Sequence, residues 1–500
     1  MAIIEPGRII LDGQGLTADL LDKVTAGGWT FALDDRSVEL MAQSRALVQS
    51  AIDNAIPVYG VTTGLGARST EVLDAETLAD FSLQTVRGRA HAIGPPCPDQ
   101  VVRAAMVVRL NTLLLGYSGA RPEVAKHLCA VLNAGLVPVV GGIGSIGGGD
   151  LVLNATIARA LVGEGRMRGP DGIGPSADVL RAAGIDPLTL APRDGLALAN
   201  HTGFCAGQAA LALSRVERIY HMSQGAAALS MEGFRANLTP LDARALAVKP
   251  LPGQQQAARG LADWLKDSAL WQKASARRLQ DPLSFRNAVQ IHGGVETALT
   301  HARQVLEIEL NGSSDNPVAL VETGEMISCG AYHSTELSLA VEAVSRSWHH
   351  LSMGQVARIA RLMEPKMTDL PLFLAEPGSG SNGFAPVLKL VEDLAGEIAQ
   401  AAGPVHVWPS INAVGVEDAL TGVMSAIRGL ERIADMAGRL TAIELIVAAQ
   451  AVELRAENVR LGPPLTGLKD TVRGVCAPLG ADRPLGEEIE ALAARIAGNV

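Results

Sequence analysis

Aromatic residues are scarce in this 500-residue chain: Phe, Trp and Tyr together make 3% of it, and only four are tyrosines. Pleated sheets draw on Val, Ile and aromatic side chains, so this scarcity beside abundant Ala and Leu excludes an all-β reading and favours helix packed on helix. Cysteine is sparse too. Cys97, Cys129, Cys205, Cys329 and Cys476 are odd in number, far apart and without CxxC spacing, which excludes a disulfide framework and a zinc knuckle. No run rich in Lys and Arg interrupts a net charge of −10, so neither nucleic acid nor an anionic membrane surface is an expected partner. The chain starts Met-Ala-Ile-Ile-Glu-Pro, with an acid inside its first apolar run and no basic lead, which predicts no secretory leader and a reducing, cytoplasmic setting. Two stretches lack Asp, Glu, Lys and Arg, 128–149 and 195–214. The first is broken by Pro138 and glycines and the second holds Asn200, His201 and Gln208, so both read as buried segments and not membrane spans.

What is present is enough apolar material for a large core, 48% of residues against 19% charged. From about residue 205 the apolar positions keep helical spacing over long runs: Ile433, Met436, Leu440, Ile443 and Val447 form one stripe, and Leu485, Ile489, Leu492 and Ile496 another. Before that, the periodic pieces are shorter and punctuated by Gly and Pro. The expected architecture is mainly α, a loop-rich N-terminal head over 1–204 followed by a long-helix bundle over 205–500. Glu376 to Gly383 reads as a loop between helical runs.

Gly142-Ile-Gly-Ser-Ile-Gly147 matches G-x-G-x-x-G, after a strand-like Leu136–Val140 and before a helix-like Asp150–Leu161. A dinucleotide site needs a second parallel strand beyond that helix, ending in an acid for the ribose. Gly165-Arg-Met-Arg-Gly-Pro-Asp-Gly172 contains no Val/Ile-rich run to make one, so the nucleotide reading is set aside.

Six separated segments are more informative together: Val58-Tyr-Gly-Val-Thr-Thr-Gly-Leu-Gly66, Arg109-Leu-Asn-Thr-Leu-Leu-Leu-Gly-Tyr-Ser-Gly119, Gly144-Ser-Ile-Gly-Gly-Gly-Asp-Leu151, Asp194-Gly-Leu-Ala-Leu-Ala-Asn200, Gln280-Asp-Pro-Leu-Ser-Phe-Arg286 and Ser314-Asp-Asn-Pro317. Their order and spacing resemble the histidine and aromatic amino acid ammonia-lyase family, from about residue 5 to 460. The resemblance implies a fumarase/aspartase-like helical homotetramer whose active sites each take loops from three subunits and remove ammonia from an amino acid. It implies no metal and no diffusible cofactor. The family's electrophile is a methylidene-imidazolone, formed from an Ala-Ser-Gly triplet of the chain itself.

Elimination is difficult because the proton β to a carboxylate is weakly acidic and ammonia leaves poorly, so a positioned base and an electron sink are needed. Tyr59 matches the family's tyrosine base. Arg286 matches the arginine that holds the substrate carboxylate, a task suited to a planar, bidentate fork. Asn200, in an uncharged segment, must satisfy its amide on backbone or on ligand. His91 matches the histidine near the substrate, Glu417 the acid of histidine-type members, and Tyr332 an aromatic beside the electrophile. His333 fits the same pocket or a supporting position.

The sequence departs from the family at the electrophile. Aligned backward from Asp150, the triplet is Gly147-Gly148-Gly149; aligned forward from Gly144-Ser145, the loop is one residue short. Gly148 has no β-carbon to become a methylidene, and Ser145 precedes β-branched Ile146, so the imidazolone is not expected to form. Leu283 stands where the family has a second catalytic tyrosine, Ala331 where asparagine is usual, and Thr62 replaces an asparagine. Three readings stay open. One is ammonia elimination from a histidine-like or aromatic amino acid. Another is an imidazolone-independent lyase, cyclase or isomerase on a related small carboxylate, with Tyr59 as base and glycine-loop amides as oxyanion donors. The third is a silent homologue that binds a small molecule.

Overall fold

The computed structural model describes residues 3–405, 412–455 and 460–498. Helices dominate, and the longest are Gly203–Phe234, Ala288–Asn311, Thr335–Leu362 and Val423–Glu453. The chain forms two compact units. The first comprises Met1–Leu211, Arg303–Leu339 and Val405–Ile427, and the second Ala212–Ala302, Ala340–Pro404 and Arg428–Val500.

The second unit is built on the stripes read from sequence. Ile433, Leu440, Ile443 and Val447 are fully buried along Val423–Glu453, with Met436 half-buried. Ile489, Leu492 and Ile496 are buried along Gly486–Ala497. Each such side chain contributes about 1.5–3 kcal/mol on leaving water. Within this core Arg358 and Glu444 form a fully buried pair, Nε to Oε1 at 2.6 Å and Nη2 to Oε2 at 3.1 Å. Gln355 and Ser230 donate to the same carboxylate, so the charge is compensated on every side. The expected loop from Glu376 to Gly383 is held by Asp482, which accepts hydrogen bonds from Ser381, Asn382 and Gly383.

The first unit carries short sheets among medium helices. Arg8–Leu11 pairs antiparallel with Ile3–Glu5 and parallel with Thr30–Leu33, and Ile93–Pro96 pairs antiparallel with Gly141–Ile143. A strand does form where none was expected, Arg166–Gly169. It exists because Pro170-Asp171 turns the chain tightly into a hairpin with Gly172–Pro175. Its pairing with Val137–Pro138 is antiparallel, so the parallel βαβ unit that dinucleotide binding requires is missing there. The helix after the glycine loop runs Leu151–Leu161, and Asp150 precedes it with φ +48°. Among the described residues no helix is long and apolar enough to cross a membrane.

Candidate active site

Tyr59 sits on a tight turn fastened by Thr62. The Thr62 hydroxyl donates to Ile56 O at 2.6 Å and accepts from Val58 N at 2.8 Å, so the residue at the family's asparagine position works on backbone here. Gly60, at φ +63°, lies where a β-carbon would overlap the Leu196 side chain. Only glycine meets both demands. The half-buried Tyr59 ring is oriented by Gly66 N–H, which donates to its Oη at 3.2 Å.

The glycine loop is fixed residue by residue. Ser145 Oγ bonds Asp150 Oδ1 at 2.5 Å and accepts Gly147 N–H at 3.1 Å, while Asp150 Oδ2 accepts Cys205 N–H at 2.8 Å. Burial pushes the Asp150 carboxyl above its ordinary range against these hydrogen bonds. Gly147 O accepts from Thr421 Oγ1 at 3.1 Å, and Gly149 N donates to Tyr332 O at 3.2 Å. Gly149 O receives Asn154 Nδ2 and His201 N–H, both at 3.1 Å. A β-carbon on Gly147 would overlap Thr421 Oγ1, and one on Gly149 would overlap Asn200 Oδ1. On Gly148 it would meet nothing within 4 Å. The Gly148 N–H has no acceptor among the described residues.

Two of the sequence segments prove to be scaffold. Arg109 forks onto Asp315 at 3.0 and 2.8 Å, both fully buried, and Arg193 donates to Asp315 Oδ1 at 3.4 Å. Arg193 also donates to Ser118 O, Asn316 O and Pro317 O. Burial lowers the Arg193 guanidinium to about 10 despite Asp315. Burial alone would raise Asp315, but Arg109, with Arg193 and His201, outweighs it and holds the carboxyl below its usual range. This clamp fixes Asn316, which faces the cavity described next.

One cavity of about 630 Å³ in the first unit gathers Tyr59, Gly148, Asn200, Tyr332, His333 and Glu417. Asn200 is 8% exposed and its Oδ1 has no hydrogen-bond partner. Burial, then the charges of Tyr59 and Glu417, push the Tyr332 phenol up. His333 is turned to backbone and Thr335, with Nδ1 2.8 Å from Thr335 Oγ1 and Nε2 3.3 Å from Ala419 O. Gly147 and Gly149, on either side of Gly148, do not line it. His91 is exposed and does not line it. Arg286 and Leu283 belong to the second unit. Arg286 there is half-buried and bonded to Gln280 Oε1; Leu283 is 58% exposed on a separate cleft of about 570 Å³ with Asn287, Ile291 and Met353. Sequence reasoning missed Arg89, Asn316 and Asp418, which all line the first cavity. Arg89 stood in view two residues before His91, and an arginine next to a matched site histidine was the available signal.

Phenols, carboxylates, an unpartnered amide and a glycine loop around one cavity of a helical scaffold define an acid–base enzyme. Comparison with known proteins makes this specific. The family described as aromatic amino acid lyase matches residues 16–474. A histidine ammonia-lyase of Gloeobacter violaceus is 33% identical over 488 residues, covering 96% of this chain and 94% of its own. The ergothioneine-degrading ergothionase of Treponema denticola, solved with desmethyl-ergothioneine sulfonic acid, superposes with a TM-score of 0.92 at 26% identity, covering 98% of this chain and 99% of that one. Histidine ammonia-lyase of Trypanosoma cruzi gives 0.90 at 28%, covering 98% and 94%. The chain belongs to the histidine and aromatic amino acid ammonia-lyase family, and is a carbon–nitrogen lyase by that membership.

The family in general carries a methylidene-imidazolone, and the residues here do not fit it. Gly148 offers no β-carbon, and an alanine at position 147 would overlap Thr421 Oγ1.

Proposed function

We propose that the protein eliminates ammonia from a histidine-like or aromatic amino acid, with Tyr59 taking the substrate proton. The observation that carries this reading is the convergence of Tyr59, Asn200, Tyr332 and Glu417 on one cavity large enough for an amino acid with a ring side chain. Asn200 lines this cavity and its amide oxygen is without a partner, so a turn of the amide would present it to the substrate. Arg286 takes the carboxylate, supplied together with the Leu283 segment by another subunit of a homotetramer. The exposure of Leu283 and Met353 on one cleft supports such packing. Five free cysteines suit a cytoplasmic enzyme.

The lone Gly148 N–H favours a second reading, a lyase, cyclase or isomerase on a related small carboxylate that proceeds without a covalent electrophile. A half-buried amide donor without an acceptor, on the cavity that holds Tyr59, is placed to stabilise negative charge as it develops on substrate oxygen.

The purified protein incubated with L-histidine, L-tyrosine and L-phenylalanine separates the readings. Ammonia with an ultraviolet-absorbing acrylate supports elimination; a product of unchanged mass without ammonia supports isomerisation or cyclisation. Tyr59→Phe abolishes either reaction and leaves the assembly intact by size-exclusion chromatography. A Tyr59→Phe protein with most of its turnover removes Tyr59 from the chemistry.

A further inference from the structure

Arg89 is a cationic cavity group that the proposed chemistry does not use. It follows the helix Ala75–Arg87 and lines the same cavity as Tyr59, Tyr332 and Glu417. A guanidinium has five N–H donors. Arg89 commits Nη1 to Thr85 O at 3.3 Å, and its side chain has no other hydrogen bond and no ion pair among the described residues. Arg193, in the same unit, spends its fork on three carbonyls and Asp315. The contrast matters because the unpartnered Arg89 donors are not sealed into the core but open on the cavity, where an anionic ligand can take them. Tyr59 and Glu417 lie close enough to favour the Arg89 charge, yet neither bonds to it, and burial leaves its pKa below the ordinary value.

We propose that Arg89 binds an acidic group on the substrate's side chain, so that the enzyme acts on an amino acid carrying a second carboxylate or a comparable anion. The inference rests on the reading of this cavity as an amino acid site whose α-carboxylate goes to Arg286. Two cations then serve two anionic groups. Glu417, on the same cavity, balances the Arg89 charge. A monoanionic substrate such as L-histidine leaves the Arg89 fork unfilled and is bound less well.

Binding of two probes by titration calorimetry tests this without requiring turnover: 4-carboxycinnamate, with two carboxylates, and 4-carbamoylcinnamate, its neutral-ended isostere. The wild-type protein binds the dicarboxylate about tenfold or more tightly, the order that a charge-assisted hydrogen bond supplies. Arg89→Gln removes the preference, and Arg89→Lys keeps part of it. An equal response of the wild type to both probes, including no binding of either, overturns the proposal. So does an Arg89→Gln protein with an undiminished preference. Failure of the lyase reading shows separately, as absence of ammonia release while the Arg89-dependent preference persists.

Discussion

Substitution of the three consecutive glycines by alanine, one at a time, should give three unequal results. At Gly149, alanine must adopt φ +73°, a left-handed conformation costing about 1–2 kcal/mol, and its β-carbon must displace the Asn200 amide, an overpacking worth about 1–3 kcal/mol. Gly147→Ala meets the same pair of costs, at φ +89° against Thr421 Oγ1, which also holds Gly147 O and accepts Val423 N–H at 3.2 Å. Each of these variants should lose about 2–5 kcal/mol. Gly148→Ala has open space and no left-handed φ, so its main effect is to restrict the unfolded chain, a gain of about 0.4–1 kcal/mol. Urea unfolding midpoints followed by circular dichroism give the order directly. The two costs at Gly149 also separate: Asn200→Ala in the Gly149→Ala background should recover the overpacking share and leave the backbone share. The reasoning is refuted if Gly148→Ala is as damaging as its neighbours, or if removal of the Asn200 side chain recovers nothing.

Three further outcomes are expected. The intact mass of the purified chain equals its sequence mass, since Gly148 has no β-carbon; a deficit of two waters mapped to 141–151 would restore the imidazolone. Arg286→Ala raises KM far more for amino acids than for their amides, and equal losses on both would leave Arg286 a structural residue. Asp150, raised by burial, keeps its proton to higher pH folded than unfolded, so its contribution to stability is present at low pH and declines as pH climbs above the unfolded value near 4. Asp150→Asn can still accept Cys205 N–H and donate to Ser145 Oγ, so unfolding midpoints across pH 5 to pH 8 should show the wild type losing ground to the variant; a wild type that gains ground contradicts the assignment.

The helical class and the core stripes were legible because a 3.6-residue period and an aromatic-poor composition are local signals. Ile433 and Val447 needed no partner to be recognised as core. The Arg166–Gly169 hairpin was not legible by the same test, because its stability comes from the Pro170-Asp171 turn and from pairing with Val137–Pro138, not from apolar content. Among the candidate site residues named from the sequence, Tyr59, Asn200, Tyr332 and Glu417 lie far apart in the chain, and the fold brings them to one cavity. Arg109, Asp315 and Arg193 lie in or beside those segments yet act as a buried clamp. No local pattern tells a charge paired across 206 positions of sequence from one kept for substrate.

The loop around Gly148 shows how far scaffold and chemistry can be separated. Its path is determined by Ser145 on Asp150, by Asn154 and His201 on the Gly149 carbonyl, by Thr421 on the Gly147 carbonyl and by Gly149 on Tyr332. None of these contacts uses a side chain of the three glycines, so the loop is held in shape whether or not it carries an electrophile. Gly147 and Gly149 are enforced by their neighbours and Gly148 is left free. A serine at 148 would fit the space, but an alanine at 147 would collide with Thr421, so the two substitutions that spell Ala-Ser-Gly are not both accommodated on this backbone. The pocket around it nevertheless retains a phenol, carboxylates and an unpartnered amide, the groups that acid–base chemistry requires. The specificity of this enzyme is therefore to be sought in what surrounds the loop, and Arg89 is the group there with donors still to fill.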